Sequence, residues 1–148
     1  IFEAGIGKTM QMSSYSITLS SVECHDGSYL QELLPRRTGS AEIRHENEHI
    51  LLAKVMITNL GRDDTYIDLS EIAAESGALY NHFDMEVFSA LNPGVSMNLH
   101  IGEAETVSVI IPVIMRSGSF PEREWVNIAD RSVSLVFGCY PDKYILKL

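Results

Sequence analysis

The sequence is short of positive charge, of cysteine and of long apolar runs. Eleven lysines and arginines stand against 20 aspartates and glutamates, a formal net charge of −9. A surface that neutralises phosphates is basic, so this balance speaks against nucleic acid as a partner. It speaks equally against docking on an anionic membrane surface. The longest apolar run, residues 109–115, is broken by Pro112. It falls far short of the roughly 20 apolar residues that a spanning helix needs. The chain begins at Ile1, without an initiator Met and without a basic-then-apolar leader. We read this as the start of a trimmed chain, as secretion leaves it. The two cysteines, Cys24 and Cys139, lie far apart. One disulfide in an oxidising compartment and two buried thiols packed as small hydrophobes both fit this count.

What is present is ordinary globular material. The apolar fraction of 45% is too high for a disordered chain. A length of 148 residues suits one domain able to bury its own core. We expect residues 1–12 to be a leader or linker, because Gly5 and Gly7 interrupt a stretch without a clean period. Residues 13–148 then form the domain.

The dominant period along the domain is two. Tyr15, Ile17 and Leu19 alternate with serine and threonine, and the strand they predict continues through Val22 to Cys24. Residues 50–58 are the strongest strand, with Leu51, Ala53, Val55 and Ile57 on one face and Leu52, Lys54, Met56 and Thr58 on the other. Asn59-Leu60-Gly61 turns the chain at its end. Between these strands, residues 25–48 form a long connection, with one helical turn near residues 29–34. Residues 66–73 and Leu79-Tyr80 read as extended on either side of a turn at Glu75-Ser76-Gly77, and residues 83–91 fit a short helix or a strand. Val95, Met97, Leu99 and Ile101 alternate, as do Val107, Val109, Ile111 and Val113, where Pro112 marks a sheet edge or bulge. Residues 125–128 read as a short strand or turn. Val133, Leu135 and Phe137 then form a hairpin with Tyr144, Leu146 and Leu148 across a turn at Pro141-Asp142. Seven to nine short strands and no long 3.6-residue period predict an all-β antiparallel sandwich with at most one or two helical turns.

Three stretches carry a resemblance. Residues 50–61, residues 67–80 with their Ser76-Gly77-Ala78-Leu79-Tyr80 turn, and Gly102-Glu103 followed by residues 109–113 are similar to telokin-like, immunoglobulin-like domains of secreted bacterial lipoproteins. The terminal residues 144–148 fit the same pattern, which covers residues 15–148. His100-Ile101 stand where that pattern has a proline, and residues 25–48 and 81–98 are long for it. The resemblance implies an immunoglobulin-like β-sandwich in the extracellular space or the cell envelope, lipid-anchored through a segment upstream of Ile1. It brings no catalytic residue with it.

Several motifs invite chemistry. His45-Glu46-Asn47-Glu48-His49 matches H-E-x-x-H, in which a helix turns two imidazoles toward zinc and the glutamate activates water. Glu71 would serve as third ligand. The strand at residues 50–58 leaves that helix no room to continue, and a solvated approach to the strand is the plainer reading. Gly5-Ile6-Gly7-Lys8-Thr9 ends like a phosphate loop, yet the first glycine of the frame is missing, since Phe2 stands at its position. Asp63-Asp64 and Glu103 with Glu105 read as solvated turn carboxylates, because a catalytic one needs burial or a partner. Cys24 and His25 are neighbours on a strand and so point to opposite faces. Trp125, with Phe120 and Arg123, forms a loop patch or plugs one end of the core.

We therefore expect no catalytic, cofactor-binding or metal residues. The favoured function is a non-enzymatic extracellular or envelope module that holds a protein or ligand. The alternative is a small metal-dependent hydrolase built on His45, Glu46 and His49. A third possibility, an oligomer formed by pairing edge strands, is opposed by Pro112.

Overall fold

The computed structural model describes residues 1–35, 45–138 and 142–148. Eleven strands and three short helices occur in them, in the order β1 (Phe2–Ala4), β2 (Thr9–Met12), β3 (Tyr15–Asp26), α1 (Gly27–Leu33), β4 (Glu48–Asn59), β5 (Thr65–Asp68), β6 (Ala73–Ser76), β7 (Leu79–His82), α2 (Met85–Leu91), β8 (Asn98–Ile101), β9 (Thr106–Arg116), α3 (Glu122–Trp125), β10 (Ser134–Gly138) and β11 (Tyr144–Lys147). One sheet has the order β2-β3-β4-β9, the other β1-β11-β10-β6-β7, and the pair β5-β8 stands apart. The two sheets face each other across one apolar core, to which β5 and β8 add Ile67, Leu99 and Ile101. The protein is a β-sandwich, mostly antiparallel.

Residues 1–12 contain two paired strands. β1 pairs in parallel with β11, and β2 pairs antiparallel with β3, so the first strands join opposite sheets. Gly7 makes the turn between them at φ 76, a conformation that side chains with a Cβ rarely adopt. Met10 and Met12 enter the core on alternate positions of β2. The period was hidden because a four-residue strand and a three-residue strand, split by two glycines, are too short to display one. These two strands also bring the total above the seven to nine expected.

The order and spacing of β3 depend on one extra residue. Ile17 pairs with Ile57 and Leu19 with Val55, but beyond the bulge Ser21 pairs with Lys54 and Val22 with Ala53. Ser20 is the residue without a partner. Strand alternation alone would send Val22 and Cys24 to the opposite face from Ile17 and Leu19. The bulge turns them back to the face of Ala53 and Leu51. The hydroxyl Oγ of Ser20 is buried with no hydrogen-bond partner among the described residues.

β4 is buried on both faces at its start and on one face at its end. Ala53, Val55 and Ile57 fill the core between the sheets. Ile50 and Leu52, on the other face, pack with Leu30 of α1 and Val87 of α2 in a second, smaller core. Farther along that face Lys54 and Met56 are exposed. Helix α1 starts where Asp26 caps the backbone N–H of Ser28. Helix α2 starts where Asp84 accepts from the N–H groups of Glu86 and Val87, at 2.9 and 3.0 Å. Residues 85–91 are thus helix rather than strand, and Asn92-Pro93 stops them because Pro93 has no N–H to continue the ladder. Residues 122–125 are likewise helical, and only Trp125 of them belongs to the stretch 125–128 that was read as a short strand or turn.

Two hairpin expectations have clear outcomes. β6 and β7 join through Gly77, at φ 59, and Ala78. β10 and β11 pair antiparallel, as expected. The expected turn at Pro141 lies outside the described residues, as does Cys139. β8 begins at Asn98, later than the alternation from Val95 suggests, because Met97 offers its carbonyl to Leu69 N–H at 2.8 Å instead.

Candidate functional site

The H-E-x-x-H helix does not form. His45–Asn47 make a single 3-10 turn, and β4 already begins at Glu48. His49 therefore lies within a strand, opposite Asp26 of β3 and Met115 of β9. Glu71 ends a separate 3-10 turn, Leu69–Glu71. Glu48 is almost fully buried, with Oε2 3.4 Å from Arg116 Nε. Among the described residues, no group of three or more histidines, cysteines, aspartates and glutamates could hold a metal ion.

His49 has a different neighbour. Because the Ser20 bulge sets Cys24 on the face of Leu51 and His49, Cys24 Sγ lies 3.5 Å from His49 Nε2 and 3.8 Å from Nδ1. Sequence adjacency had suggested His25, which instead stacks on Tyr29 and meets Glu23 at 3.2 Å. Burial holds the His49 imidazole below its usual pKa and so favours its neutral form. Cys24 is exposed and carries a free thiol. Asp26, the carboxylate opposite His49, caps α1 through Oδ1.

The remaining candidate groups are structural. Gly7 N–H donates to the Leu19 carbonyl at 2.8 Å, which makes the Gly-Lys-Thr stretch a turn between strands. Asp64 meets His100 at 2.8 Å on an exposed surface, and Glu105 accepts from Gly102 N–H at 2.7 Å inside its own turn. Trp125 is half-buried against the core with Phe120, and Arg131 lies 4.9 Å over the Phe120 ring. Arg131 also ties Glu124 to Ser76. The Trp125 patch is thus a plug held in place by an arginine, with Arg123 outside it.

A cleft lies on the open side of the sandwich. There the edge strand β7 of one sheet faces the edge strand β9 of the other. Leu79, Asn81 and His82 line one wall, and Pro112, Ile114 and Arg116 the other, around a cleft of about 350 Å³. Phe83 and Asp84, at the approach to α2, close one end. His82 is held by an Nδ1 contact of 3.2 Å to the Ile72 carbonyl.

Asn92 decides how much of β9 is open. This buried side chain donates from Nδ2 to the Ile110 carbonyl at 2.8 Å and accepts from Ile110 N–H at Oδ1, 2.7 Å. It also donates to the Phe88 carbonyl at 2.9 Å. An amide side chain so placed does what a neighbouring strand would do at that position. Pro112 stands two residues on, opposite Leu52. On an edge strand its missing N–H costs no ladder bond. The sequence had signalled this edge through Pro112, but it offered Asn92 only as the end of a helix. The residues that shape the cleft, Asn81, Ile114 and Arg116, carried no signal, because nothing local marks which strand edges face each other.

Known proteins share this architecture. The yjhA protein from Bacillus subtilis superposes with a TM-score of 0.59 at 15% identity, over 97% of this chain and 98% of that one. An uncharacterized beta-sandwich protein from Clostridium difficile 630 gives 0.55 at 15% identity, over 99% and 93%. A Bacillus subtilis protein described as "a putative lipoprotein (ycdA)" gives 0.57 at 12% identity, and this chain covers 38% of it. At such identities the likeness is one of fold. No curated protein matches the sequence. The profile of one family matches residues 4–144, from the last residue of β1 to the first of β11. The chain belongs to the family described as Domain of unknown function (DUF5028).

Proposed function

We propose that this protein is a non-enzymatic module of the cell envelope or the extracellular space, and that it works by holding a partner in the cleft between β7 and β9. The observation that carries this reading is the character of the cleft walls. They are strand edges and fixed polar side chains, which offer hydrogen bonds rather than a reacting group. The geometry found at His45–His49 removes the strongest reason to think of a hydrolase. The envelope location is supported by the resemblance to telokin-like domains of secreted lipoproteins and by the similarity in fold to the Bacillus subtilis lipoprotein ycdA. No helix is long and apolar enough to cross a membrane among the described residues.

The test is a photo-crosslinking amino acid placed at Asn81 and, as a control, at Met56, which is 41% exposed on the other sheet. The protein is expressed in full in its own host and the cells are fractionated. Defined crosslinks from position 81 alone, in the envelope or secreted fraction, are expected. Equal crosslinking at both positions, or recovery with the cytoplasm, would overturn the reading.

A further inference from the structure

Resting on the cleft reading above, we infer that β9 captures an extended, lysine- or arginine-bearing polypeptide segment, which adds to the sheet edge at Ile114. The inference begins with Ile110, whose N–H and C=O both turn away from β4 toward Asn92. In an antiparallel ladder, alternate residues point their backbone groups the same way. Pro112, Ile114 and Arg116 therefore direct theirs outward as well. At Ile110 the edge is closed by Asn92, and at Pro112 there is no N–H to offer. Such devices are how natural sheets blunt an edge against pairing. They stop short of Ile114. Among the described residues nothing hydrogen-bonds the outward N–H of Ile114 or Arg116, and both residues line the cleft. Sites on one edge two residues apart are spaced by about 6.6 Å, the repeat of an extended peptide. Main-chain pairing of this kind is a recurrent mode of peptide capture.

Charge selects the segment. The Arg116 guanidinium is engaged by Glu48 at 3.4 Å, and the His82 ring by the Ile72 carbonyl. Asp84 stands as the carboxylate at the end of the cleft, in a chain of net charge −9. That field draws cationic partners and repels a second copy of the same acidic chain.

The probe is a six-residue peptide of alternating lysine and valine, blocked at both ends. It is compared with the same peptide N-methylated at alternate residues and with glutamate in place of lysine. Binding of the first is expected to slow amide exchange at Ile114 and Arg116 about tenfold, and N-methylation to weaken binding by a similar factor. The glutamate peptide is expected to bind more weakly than the lysine one. Ile114→Pro is expected to abolish binding; because Ile114 also packs against the second core, circular dichroism checks that the variant is folded, and the N-methylated peptide tests the same bond without altering the protein. Equal binding of the N-methylated peptide, protection at another edge, or no protection at millimolar peptide would overturn strand addition. Protection that rises with protein concentration and needs no peptide would assign the edge to a second copy instead, and overturn it too. Crosslinking at position 81 that persists while N-methylation has no effect would leave the cleft a partner site and remove only the strand. Loss of both would remove both.

Discussion

The side-chain amide of Asn92 holds both backbone groups of Ile110, at 2.8 and 2.7 Å, and thereby acts as one residue of a strand that is not there. The arrangement ties the end of α2 to the edge of β9. It secures the second core from the side, because Leu91 and Ile110 both pack against it.

Asn92→Ala removes three hydrogen bonds and leaves buried donors and acceptors without partners. We expect a loss of about 2–4 kcal/mol, given about 1–3 kcal/mol for each such group left unsatisfied and some relaxation. Urea denaturation at neutral pH measures it. The exposed edge at Ile110 should also raise concentration-dependent association, seen by light scattering. A variant as stable and as monomeric as the parent would show that the amide does neither.

Deleting Ser20 removes the extra residue of the bulge. With the pairing of Ile17 and Leu19 kept, Ser21 then follows Leu19 directly opposite Lys54, and Val22 and Cys24 stay opposite Ala53 and Leu51 in a now regular ladder. We expect the variant to remain folded at room temperature, read from circular dichroism, because every pairing of β3 with β4 is preserved. Ser20→Ala keeps the bulge and removes a hydroxyl that has no partner among the described residues, so it should be neutral or slightly stabilising. An unfolded deletion variant would contradict the role given to the bulge, that of absorbing one extra residue.

The His49 imidazole is held below its usual pKa of 6.5 by burial. The unfolded chain therefore takes up a proton at that site at higher pH than the folded one. Stability rises with pH where the unfolded state binds more protons, so this group's contribution is full above the unfolded value and is lost as pH falls below it. Comparing urea midpoints at pH 5 and pH 7.5 for the parent and for His49→Gln isolates the site, because the other titrating groups are common to both. The variant should show the smaller drop on acidification, and an equal drop in both would sink the assignment.

A strand at His49 also sets an expectation for metal. Treatment with a chelator should leave the melting temperature unchanged, and His49→Ala should not alter zinc content measured by elemental analysis. A drop of several degrees on chelation, or one equivalent of zinc lost with the histidine, would restore the hydrolase alternative.

Much of the architecture was legible in local patterns. The alternation in residues 50–58 marked β4, the Gly77 turn marked the β6–β7 hairpin, and Pro112 marked β9 as an edge. Each is a property of a few consecutive residues. What stayed hidden depends on distant ones. Met85–Leu91 is a helix because Asp84 caps it and because Val87 and Phe88 are received by two different cores. Val22 faces the core, and Cys24 shares the face of His49, only because Ser20 is skipped in the ladder with β4. Cys24 meets His49 rather than His25 because contact across a ladder outranks adjacency along a strand, where alternate side chains part.

By itself, then, the sequence determined the class of this protein. A period of two and turn residues between short apolar strings leave a β-sandwich as the economical way to bury its apolar faces. Only the tertiary structure decided where it could hold anything. The cleft exists because β7 and β9, distant in the chain and in different sheets, end side by side. Which of their backbone groups remain open is set by Asn92 on a helix between them. Neither relation leaves a trace in local composition, because a strand reads the same whether its edge is paired, capped or free.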